Sequence, residues 1–239
     1  MRTNIEQLGC TAAQRTAEWY KKRLGHFTGS QVGRLMKRGR GKDAEWSADA
    51  LTYIQEVASE RLINPVVMDV ADIFDDYMNA TQVTSRAMSW GIDHEDEAID
   101  IYEKLTKSQV TRVGSIAYEG LPFFTDSPDG LLLDKDGVIE VKCPQVKTHC
   151  SYLATVFDAE SLKSANEVYY WQTMAHMAVT GASFCLWASY NPFCKPAMMA
   201  VKIERNQDEI NQLVVRVQAA DELCNEFVAK AKNRTLAAM

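Results

Sequence analysis

The sequence predicts a mixed α/β (α+β) fold, and two observations support that prediction. Apolar residues recur every three or four positions along much of the N-terminal half and again near the C-terminus, which is the spacing of amphipathic helices. Between these segments lie short apolar runs bounded by glycine, proline and aspartate, which are typical of strands. We expect one domain over residues 1–239, with a helical part at about 1–107, a sheet-bearing core at about 108–205 and a C-terminal helix at about 206–232.

Composition sets only broad bounds on function. Hydrophobic residues make up 46% of the chain and charged residues 24%, which is ordinary for a globular protein. No apolar run is long enough to cross a membrane. The six cysteines include no C-x-x-C pair, so we expect reduced thiols in a cytoplasmic protein rather than a disulfide framework or a zinc ribbon.

The distribution of charge is uneven. The formal net charge is −6, yet basic residues concentrate between positions 21 and 42. A local basic face on an acidic protein indicates a polyanionic partner. A solvated helix face followed by a basic loop explains the same residues equally well.

The first candidate binding site lies near the N-terminus. Thr11 or Thr16 is expected to cap a first helix, and Thr28 or Ser30 a second one. A helix N-terminus beside an arginine can hold a phosphate through backbone N–H groups and a forked donor. Capping alone explains Thr28 and Ser30 as well, but Arg23 favours the phosphate site.

Two longer helices are predicted in the N-terminal half. The apolar spacing predicts one helix at about 48–62, and Ser85 is expected to cap another that ends near Leu105. Glu95 lies at the edge of the apolar face of the second helix, where a carboxylate needs a partner or a metal. His94 is interpreted as a packed histidine rather than a ligand. The predicted inward stripe consists of Ala87, Trp90, Gly91, His94, Ala98, Ile101, Tyr102 and Leu105.

A β-hairpin is predicted in the middle of the chain. Asp136-Gly137 is a dipeptide typical of tight hairpin turns, and it separates an apolar run at 131–133 from a strand that ends at Lys142. Because side chains alternate between the two faces of a strand, Glu140 and Lys142 point the same way. The hairpin is expected to bring Asp129 back beside Glu140, so that two carboxylates and one ammonium group meet.

Two interpretations of this cluster remain open. Magnesium is usually bound through one or two carboxylates together with water and substrate phosphates, and a nearby lysine can offset charge on a phosphate. Alternatively, the hairpin is exposed and Glu140 and Lys142 form a surface pattern. The apolar character of the strand and the position of Asp129 at a strand start weaken the second interpretation.

The C-terminal half adds one more candidate residue. A helix is predicted at 164–180, and Gln172 lies on its apolar face, where an amide must be hydrogen-bonded. Pro144 is expected to end the second hairpin strand. The remaining predicted elements are strands at 109–117, 123–124, 182–190 and 197–203, a loop with a short helix at 147–158, and a helix at 207–232.

Four motifs in this order resemble those of the lambda-exonuclease or YqaJ-type viral recombinase family, a branch of the PD-(D/E)xK nucleases. The resemblance covers most of the chain. Residues 37–42 and 64–80 match nothing in it, so their role stays open. The motifs are Trp19-Tyr-Lys-Lys-Arg-Leu-Gly25 with Thr28-Gly-Ser30, Trp90-Gly91 with Glu95, Ser127-Pro-Asp-Gly130 with Glu140-Val-Lys-Cys-Pro144, and Tyr169-Tyr-Trp-Gln172.

The resemblance implies a restriction-endonuclease-like core, a central mixed β-sheet flanked by helices. It implies an exonuclease that depends on Mg²⁺, or Mn²⁺ as a substitute, with two ions in each active site. Such an enzyme digests linear double-stranded DNA 5′→3′ from its ends and leaves 3′ overhangs for phage-type recombination. It also implies a ring-shaped homotrimer, a single-strand annealing protein as partner, no membrane, and a phage or prophage origin with action in the bacterial cytoplasm.

The same resemblance implies a role for each motif residue. Asp129 and Glu140 would bind metal. Lys142 would position and help to activate the attacking water, and Gln172 would hold Lys142 or that water. The further implied residues are Val141, through its backbone carbonyl, and Glu95 at the metal site, and Arg23, Ser30 and Thr28 at a 5′-phosphate.

Two other functions remain open. An endonuclease of the same superfamily would carry the same residues but would cut internal sites. A DNA-binding accessory module with a silent nuclease fold is a third interpretation, which the complete set of motif residues disfavours. The iron–sulfur nucleases of this superfamily are disfavoured by the cysteine spacing.

Overall fold

A computed structural model describes residues 13–40, 45–81 and 85–234. The described parts alternate helices and strands. In chain order the elements are α1 (Ala17–Lys21), β1 (Phe27–Thr28), α2 (Val32–Met36), α3 (Ala48–Glu60), α4 (Pro65–Asp69), α5 (Ala71–Thr81), α6 (Arg86–Thr106), β2 (Ile116–Tyr118), β3 (Leu121–Asp126), β4 (Gly130–Leu132), β5 (Gly137–Lys142), α7 (Val146–Thr155), α8 (Ala159–Ala165), α9 (Glu167–Thr180), β6 (Phe184–Tyr190), β7 (Met198–Glu204) and α10 (Gln207–Lys232).

The named strands form two mixed sheets. One has the order β4-β5-β6-β7, in which β5 and β6 are parallel and the other pairs antiparallel. The other has the order β1-β3-β2, in which β1 is parallel to β3. The predicted mixed fold with flanking helices is confirmed. The expectation of one central sheet is corrected, because β3 pairs with β1 and β2 and not with the hairpin that follows it.

The helix α9 lies between the two sheets. Its residues 170–180 are all buried, and it packs against β2 and β3 on one side and against β5 and β6 on the other. Its buried polar side chains Gln172, Thr173, His176 and Thr180 are all hydrogen-bonded, as burial requires. It begins at Glu167 rather than at 164, because the Asn166 side chain accepts a hydrogen bond from the backbone N–H of Tyr169 and caps it there.

The N-terminal caps were predicted in part. Thr16 caps α1 by accepting from the N–H of Trp19, while Thr11 lies outside the described residues. Neither Thr28 nor Ser30 caps α2, because Gln31 occupies the N-cap position without a side-chain bond. Thr28 instead pairs with Thr125 as part of β1, so the capping prediction is wrong for both residues.

The region 64–80, for which no structure was predicted, contains two helices. Asn64 caps α4 by accepting from the N–H of Val66, and Pro65 occupies the first helical position. This Asn-Pro pair is a helix-start signal that could have been used. After a short break at Val70, α5 continues to Thr81.

The long helix α6 starts after its predicted Ser85 cap and ends at Thr106, one residue beyond the prediction. Its apolar stripe is buried only in the second half, where the helix packs against β5. Ala98 and Tyr102 are buried as predicted, whereas Ala87 is exposed and Leu105 is 71% exposed. The prediction of an inward stripe is therefore wrong at both ends of the helix.

Several of the remaining elements differ from prediction: α7 fills most of the segment predicted as a loop with a short helix, α8 was not predicted, and β3 extends well beyond the strand predicted at 123–124. The segment 109–117 is a strand only from Ile116 onward, apart from an isolated bridge between Thr111 and Leu131. The strands β6, β7 and the helix α10 start or end within two residues of the predicted bounds. None of the described helices combines the length and apolar character needed to cross a lipid bilayer.

Candidate active site

The hairpin of β4 and β5 brings Asp129 beside Glu140. Gly130 pairs with Ile139, so Asp129 lies opposite Glu140 in the same register. The Oδ2 atom of Asp129 accepts a hydrogen bond of 2.7 Å from the backbone N–H of Val141. Asp136 adopts a positive φ of 56°, as predicted, but Gly137 begins β5 and pairs with Leu132, so residues 133–136 form the connection rather than a tight Asp136-Gly137 turn. The proximity of the two carboxylates is therefore confirmed.

Glu140 is buried and is held by three side chains. Its Oε1 atom accepts hydrogen bonds from Lys142 Nζ at 2.5 Å and from Gln172 Nε2 at 2.7 Å. Its Oε2 atom accepts a bond of 2.8 Å from Nε2 of His176. Lys142 also lies over the ring of Tyr169, with Nζ 4.8 Å from the ring centroid. Gln172 thus faces inward as predicted, and its described partner is Glu140 rather than Lys142.

The two carboxylates of this cluster, Glu140 and Asp129, differ in the direction of their pKa shifts. Burial raises the pKa of Glu140, but Lys142 and His176 outweigh it and lower that pKa to about 2. The pKa of Asp129 is raised well above its ordinary value by burial, by Glu140 and by Glu95. Glu140 is therefore a compensated carboxylate, whereas the charged form of Asp129 is disfavoured by its surroundings.

Glu95 reaches the site from α6 through an arginine. Its side chain is 12% exposed and accepts hydrogen bonds from Arg15 and, at 3.1 Å, from Nη1 of Arg112. The same Arg112 nitrogen donates to the backbone carbonyl of Asp129 at 3.1 Å. The partners of the Glu95 carboxylate are thus the guanidinium groups of Arg15 and Arg112. Through Arg112, Glu95 supports the backbone at Asp129.

Arg23, Thr28 and Ser30 line one pocket of about 270 Å³, which we call the Arg23 pocket. Arg23 stacks over the ring of Trp19 at 4.3 Å and donates from Nη1 to the Ser127 hydroxyl at 2.9 Å. Burial lowers the pKa of Arg23, and Asp126 opposes that effect. Ser127 lies two residues before Asp129, so the pocket is joined directly to the segment that carries the carboxylates.

Two further residues of the pocket were not predicted. Tyr53 of α3 lies behind Thr28, because its hydroxyl accepts from the Thr28 backbone N–H at 2.8 Å. Burial raises the pKa of Tyr53 to about 12. Glu60 also lines the pocket and accepts from the Gly25 N–H at 2.8 Å. The Tyr53 hydroxyl thus satisfies the backbone N–H of Thr28, which pairs with Thr125 in β1.

Sequence reasoning missed His176 and Asp126, which adjoin Glu140. The two ring nitrogens of His176 lie 2.6 Å from Asp126 Oδ2 and 2.8 Å from Glu140 Oε2. Burial lowers the pKa of His176, but the two carboxylates outweigh it and raise that pKa to about 10. The available signal was spacing, since His176 follows Gln172 by four residues and must share its helix face.

Gly29 allows Asp126 to occupy this position. A Cβ atom at residue 29 would lie 2.1 Å from Cγ of Asp126. Gly29→Ala is therefore expected to lower the free energy of unfolding by about 1–3 kcal/mol, the usual cost of overpacking, in a denaturant titration.

Gly91→Ala is the matched control for Gly29→Ala. A Cβ at residue 91 would meet nothing within 4 Å. Because glycine is unfavourable inside a helix, Gly91→Ala in α6 is expected to stabilise the protein by about 0.5–1 kcal/mol. Equal effects of the two substitutions would contradict the close contact at Gly29.

The residues present fit a divalent metal ion. Magnesium is commonly held by one or two carboxylates plus water and substrate phosphates, and Asp129 and Glu140 provide two adjacent carboxylates. The raised pKa of Asp129 indicates that a cation is favoured beside it. In the described ranges, no group of three or more histidine, cysteine or acidic side chains is arranged to bind a metal, so the fit rests on these two carboxylates.

Comparisons with known proteins show which family and which solved structures this chain resembles. A family model described as the YqaJ-like viral recombinase domain matches residues 18–183, which is more than half of the chain. The alkaline exonuclease LHK-Exo from Laribacter hongkongensis has a similar structure, with a TM-score of 0.74 and 28% identity over 92% of this chain and 97% of that one. Its complex with dAMP matches with a TM-score of 0.75, 27% identity and the same coverage.

A phage-related exonuclease from Haemophilus somnus 129PT shares the fold. Its TM-score is 0.63 and its identity 14%, over 86% of this chain and 96% of that one. The search of curated proteins returned no match. The chain therefore has the fold of these exonucleases along nearly its whole length.

Proposed function

Since this chain belongs to the family of the YqaJ-like viral recombinase domain, we propose that it is a Mg²⁺-dependent 5′→3′ exonuclease. Its substrate is linear double-stranded DNA, on which it leaves 3′ single-stranded overhangs for recombination by strand annealing. The coarser assignment, a phage-type exonuclease, is supported by the family and by the similarity to LHK-Exo. The observation that carries the proposal is the convergence of Asp129, Glu140 and Lys142 beside the Arg23 pocket.

Asp129 and Glu140 would hold the metal. Val141 would add its backbone carbonyl, because the N–H and C=O of one strand residue point to the same edge and its N–H points at Asp129. Glu95 would support this site through Arg112. Bound Mg²⁺ or Mn²⁺, two ions as the family resemblance implies, would supply Lewis-acid activation of water and neutralise charge on the leaving oxygen.

Lys142 would act on the attacking water and the scissile phosphate. Its ammonium is held between the Glu140 carboxylate and the Tyr169 ring, so its position is defined before substrate binds. Gln172 fixes the Glu140 oxygen to which Lys142 donates. A fixed charge at this place can stabilise the developing negative charge without reorganising during the reaction.

The Arg23 pocket would bind the 5′-phosphate at the end of the strand. A guanidinium binds phosphate through paired N–H donors, and the hydroxyls of Thr28 and Ser30 lie in the same pocket. Because Arg23 donates to Ser127, two residues before Asp129, end recognition in this proposal would lie beside the cleavage site. We also propose a homotrimeric ring, an annealing-protein partner and action in the bacterial cytoplasm.

The proposed direction is tested with linear duplexes labelled at either the 5′ or the 3′ end. In Mg²⁺, the 5′ label is expected to be released first as mononucleotide, while the 3′-labelled strand stays long. Relaxed closed-circular DNA is expected to stay intact. Cutting of that circle would instead identify an endonuclease, and light scattering of the native protein would test the trimer.

Arg23→Ala is expected to slow digestion of 5′-phosphorylated ends by about 10–100-fold, since a hydrogen bond to a charged group contributes about 1.5–3 kcal/mol. Digestion of 5′-hydroxyl ends should change little, because no phosphate is present for the guanidinium to bind. Initial rates on the two kinds of end measure the difference.

Lys22→Ala is the matched control for Arg23→Ala, since Lys22 is a neighbouring cation that pairs with Glu18 on the surface. It should preserve the preference for phosphorylated ends. If Arg23→Ala slowed digestion of both kinds of end equally, the Arg23 pocket would not be the binding site of the 5′-phosphate.

A further inference from the structure

We propose that His176, held by Asp126, is a positioning residue that fixes the Glu140 carboxylate for metal binding. The proposal rests on the proposed metal-dependent function and extends it to a residue pair outside the four motifs. His176 touches neither substrate nor metal in this scheme, and it acts through Glu140 alone.

Both ring nitrogens of the buried His176 are hydrogen-bonded. The residue is 0% exposed, lies on α9, and has one ring nitrogen on each of two carboxylates, Asp126 and Glu140. An ionised carboxylate only accepts hydrogen bonds, so a histidine between two of them donates from both nitrogens. Its ring can therefore neither rotate nor shift without losing one of the bonds.

The hydrogen bonds at Glu140 determine which of its carboxylate oxygens is left for a cation. A carboxylate has about four lone-pair sites, two on each oxygen. The Oε1 atom already accepts from Lys142 and Gln172, while Oε2 accepts from His176. The site that remains for a cation is thus on Oε2, the oxygen whose direction His176 determines.

Asp126 anchors the histidine from the other sheet. Its Oδ1 accepts from the Ser127 backbone N–H at 2.8 Å, and its carboxylate packs closely over Gly29. Asp126 belongs to β3 and Glu140 to β5, so His176 joins the two sheets across α9. The pairing of β4 with β5 sets the backbone position of Glu140 beside Asp129, whereas the orientation of the Glu140 side chain depends on this bridge.

A purely structural role for His176 makes a different prediction. A buried, hydrogen-bonded histidine that serves only packing would lower stability when replaced and would leave metal affinity unchanged. Side chains that orient a metal ligand typically change metal affinity or activity by about 10–100-fold when they are replaced. Metal affinity thus separates the two roles.

The test measures Mg²⁺ binding to the folded protein by calorimetry in the absence of DNA, with wild type, His176→Gln and Asp126→Asn. His176→Gln removes the double bridge, and Asp126→Asn keeps the shape of the anchor but removes its charge. Both are expected to weaken Mg²⁺ binding by about 10–100-fold. In digestion assays at saturating Mg²⁺, kcat of His176→Gln should fall while its KM for DNA stays within about twofold, because His176 makes no contact with the proposed DNA-binding residues.

His149→Gln is the matched control. His149 is also 0% exposed, and its two ring nitrogens are hydrogen-bonded to the Ser189 hydroxyl at 2.8 Å and the Pro196 carbonyl at 3.2 Å rather than to a carboxylate of the proposed metal site. The His149→Gln variant should be less stable than wild type but should bind Mg²⁺ with the same affinity.

Two outcomes overturn the positioning role. If His176→Gln and His149→Gln bind Mg²⁺ as wild type does, His176 serves packing alone. If His176→Gln does not fold, an Asp126→Asn variant with wild-type Mg²⁺ affinity also excludes the role. A wild-type protein that binds Mg²⁺ but digests no DNA would instead contradict the proposed function and leave the affinity comparison valid.

Discussion

Lys142→Met is expected to slow digestion of linear DNA by at least about 100-fold, the usual effect of removing one preorganised group that stabilises a transition state. Methionine keeps the length and the apolar stem of the side chain but lacks the charge. The initial rate of nucleotide release in saturating Mg²⁺ measures the effect. Thermal denaturation should show a folded protein, because the Lys142 side chain is partly exposed at the edge of the core.

The protonation state of Lys142 explains why a large loss is expected. Burial lowers its pKa, but Glu140, Tyr169 and Asp129 outweigh that effect and raise it above the ordinary value. The side chain therefore stays charged at neutral pH. It can donate hydrogen bonds to water and phosphate oxygens, whereas it is a poor general base. The loss should thus reflect missing charge, and Lys142→Arg should recover part of the rate.

Lys202→Met provides the comparison on the same sheet. Lys202 lies on β7, is 53% exposed in its side chain and pairs with Glu204 at the surface. Its replacement is expected to leave the rate within about twofold, since exposed ion pairs contribute little. If Lys142→Met digested DNA as fast as Lys202→Met, Lys142 would have no part in cleavage.

Local signals predicted the hairpin and its carboxylate pair from the sequence. The connection that ends at Asp136 joins two strands in the register that pairs Leu132 with Gly137, and strand alternation then places Glu140 and Lys142 on one face. Asp129 follows from the same register because it adjoins the first strand. The helix α6 was predictable for the same reason, since its cap Ser85 and the helix are contiguous in sequence, and the apolar spacing predicted α3.

Contacts between distant segments were not predictable in this way. Thr28 carries a side chain that caps helices, yet it is drawn into β1 by pairing with Thr125, about a hundred residues later. The division into two sheets follows from that pairing and from the position of α9. His176 was missed because its partners, Asp126 and Glu140, lie on two different strands, and only the fold brings all three together.

Asp129→Asn is expected to make the metal-free protein more stable and to abolish metal-dependent digestion. The buried Asp129 carboxylate is disfavoured by burial, by Glu140 and by Glu95, and asparagine removes its charge while it can still accept the bond from the Val141 N–H. Relief of an uncompensated buried charge of about 1 kcal/mol would raise Tm by about 2–4 °C in a chain of this size.

Adding Mg²⁺ should make wild type more stable than Asp129→Asn, the reverse of the order expected without metal. A ligand that binds only the folded state stabilises it by about 2.7 kcal/mol at a concentration of 100 times its Kd, so wild type should gain several degrees in Tm. Asp129→Asn lacks one of the two carboxylates and should gain little. Differential scanning calorimetry with and without Mg²⁺, or with Ca²⁺ to test binding without turnover, measures both effects on the same samples.

Asp134→Asn is the control, because Asp134 is exposed in the turn of the same hairpin and undergoes the same change of charge. It should behave as wild type in Tm, in its response to Mg²⁺ and in digestion. A metal-induced gain in Asp129→Asn equal to that of wild type would show that the cation binds elsewhere. A fall in the metal-free Tm of Asp129→Asn would show that the carboxylate stabilises the fold. Asp129→Asn should have a higher Tm than wild type without metal and should gain no Tm from Mg²⁺. The two results together are expected only if the Asp129 carboxylate destabilises the metal-free protein and binds the metal.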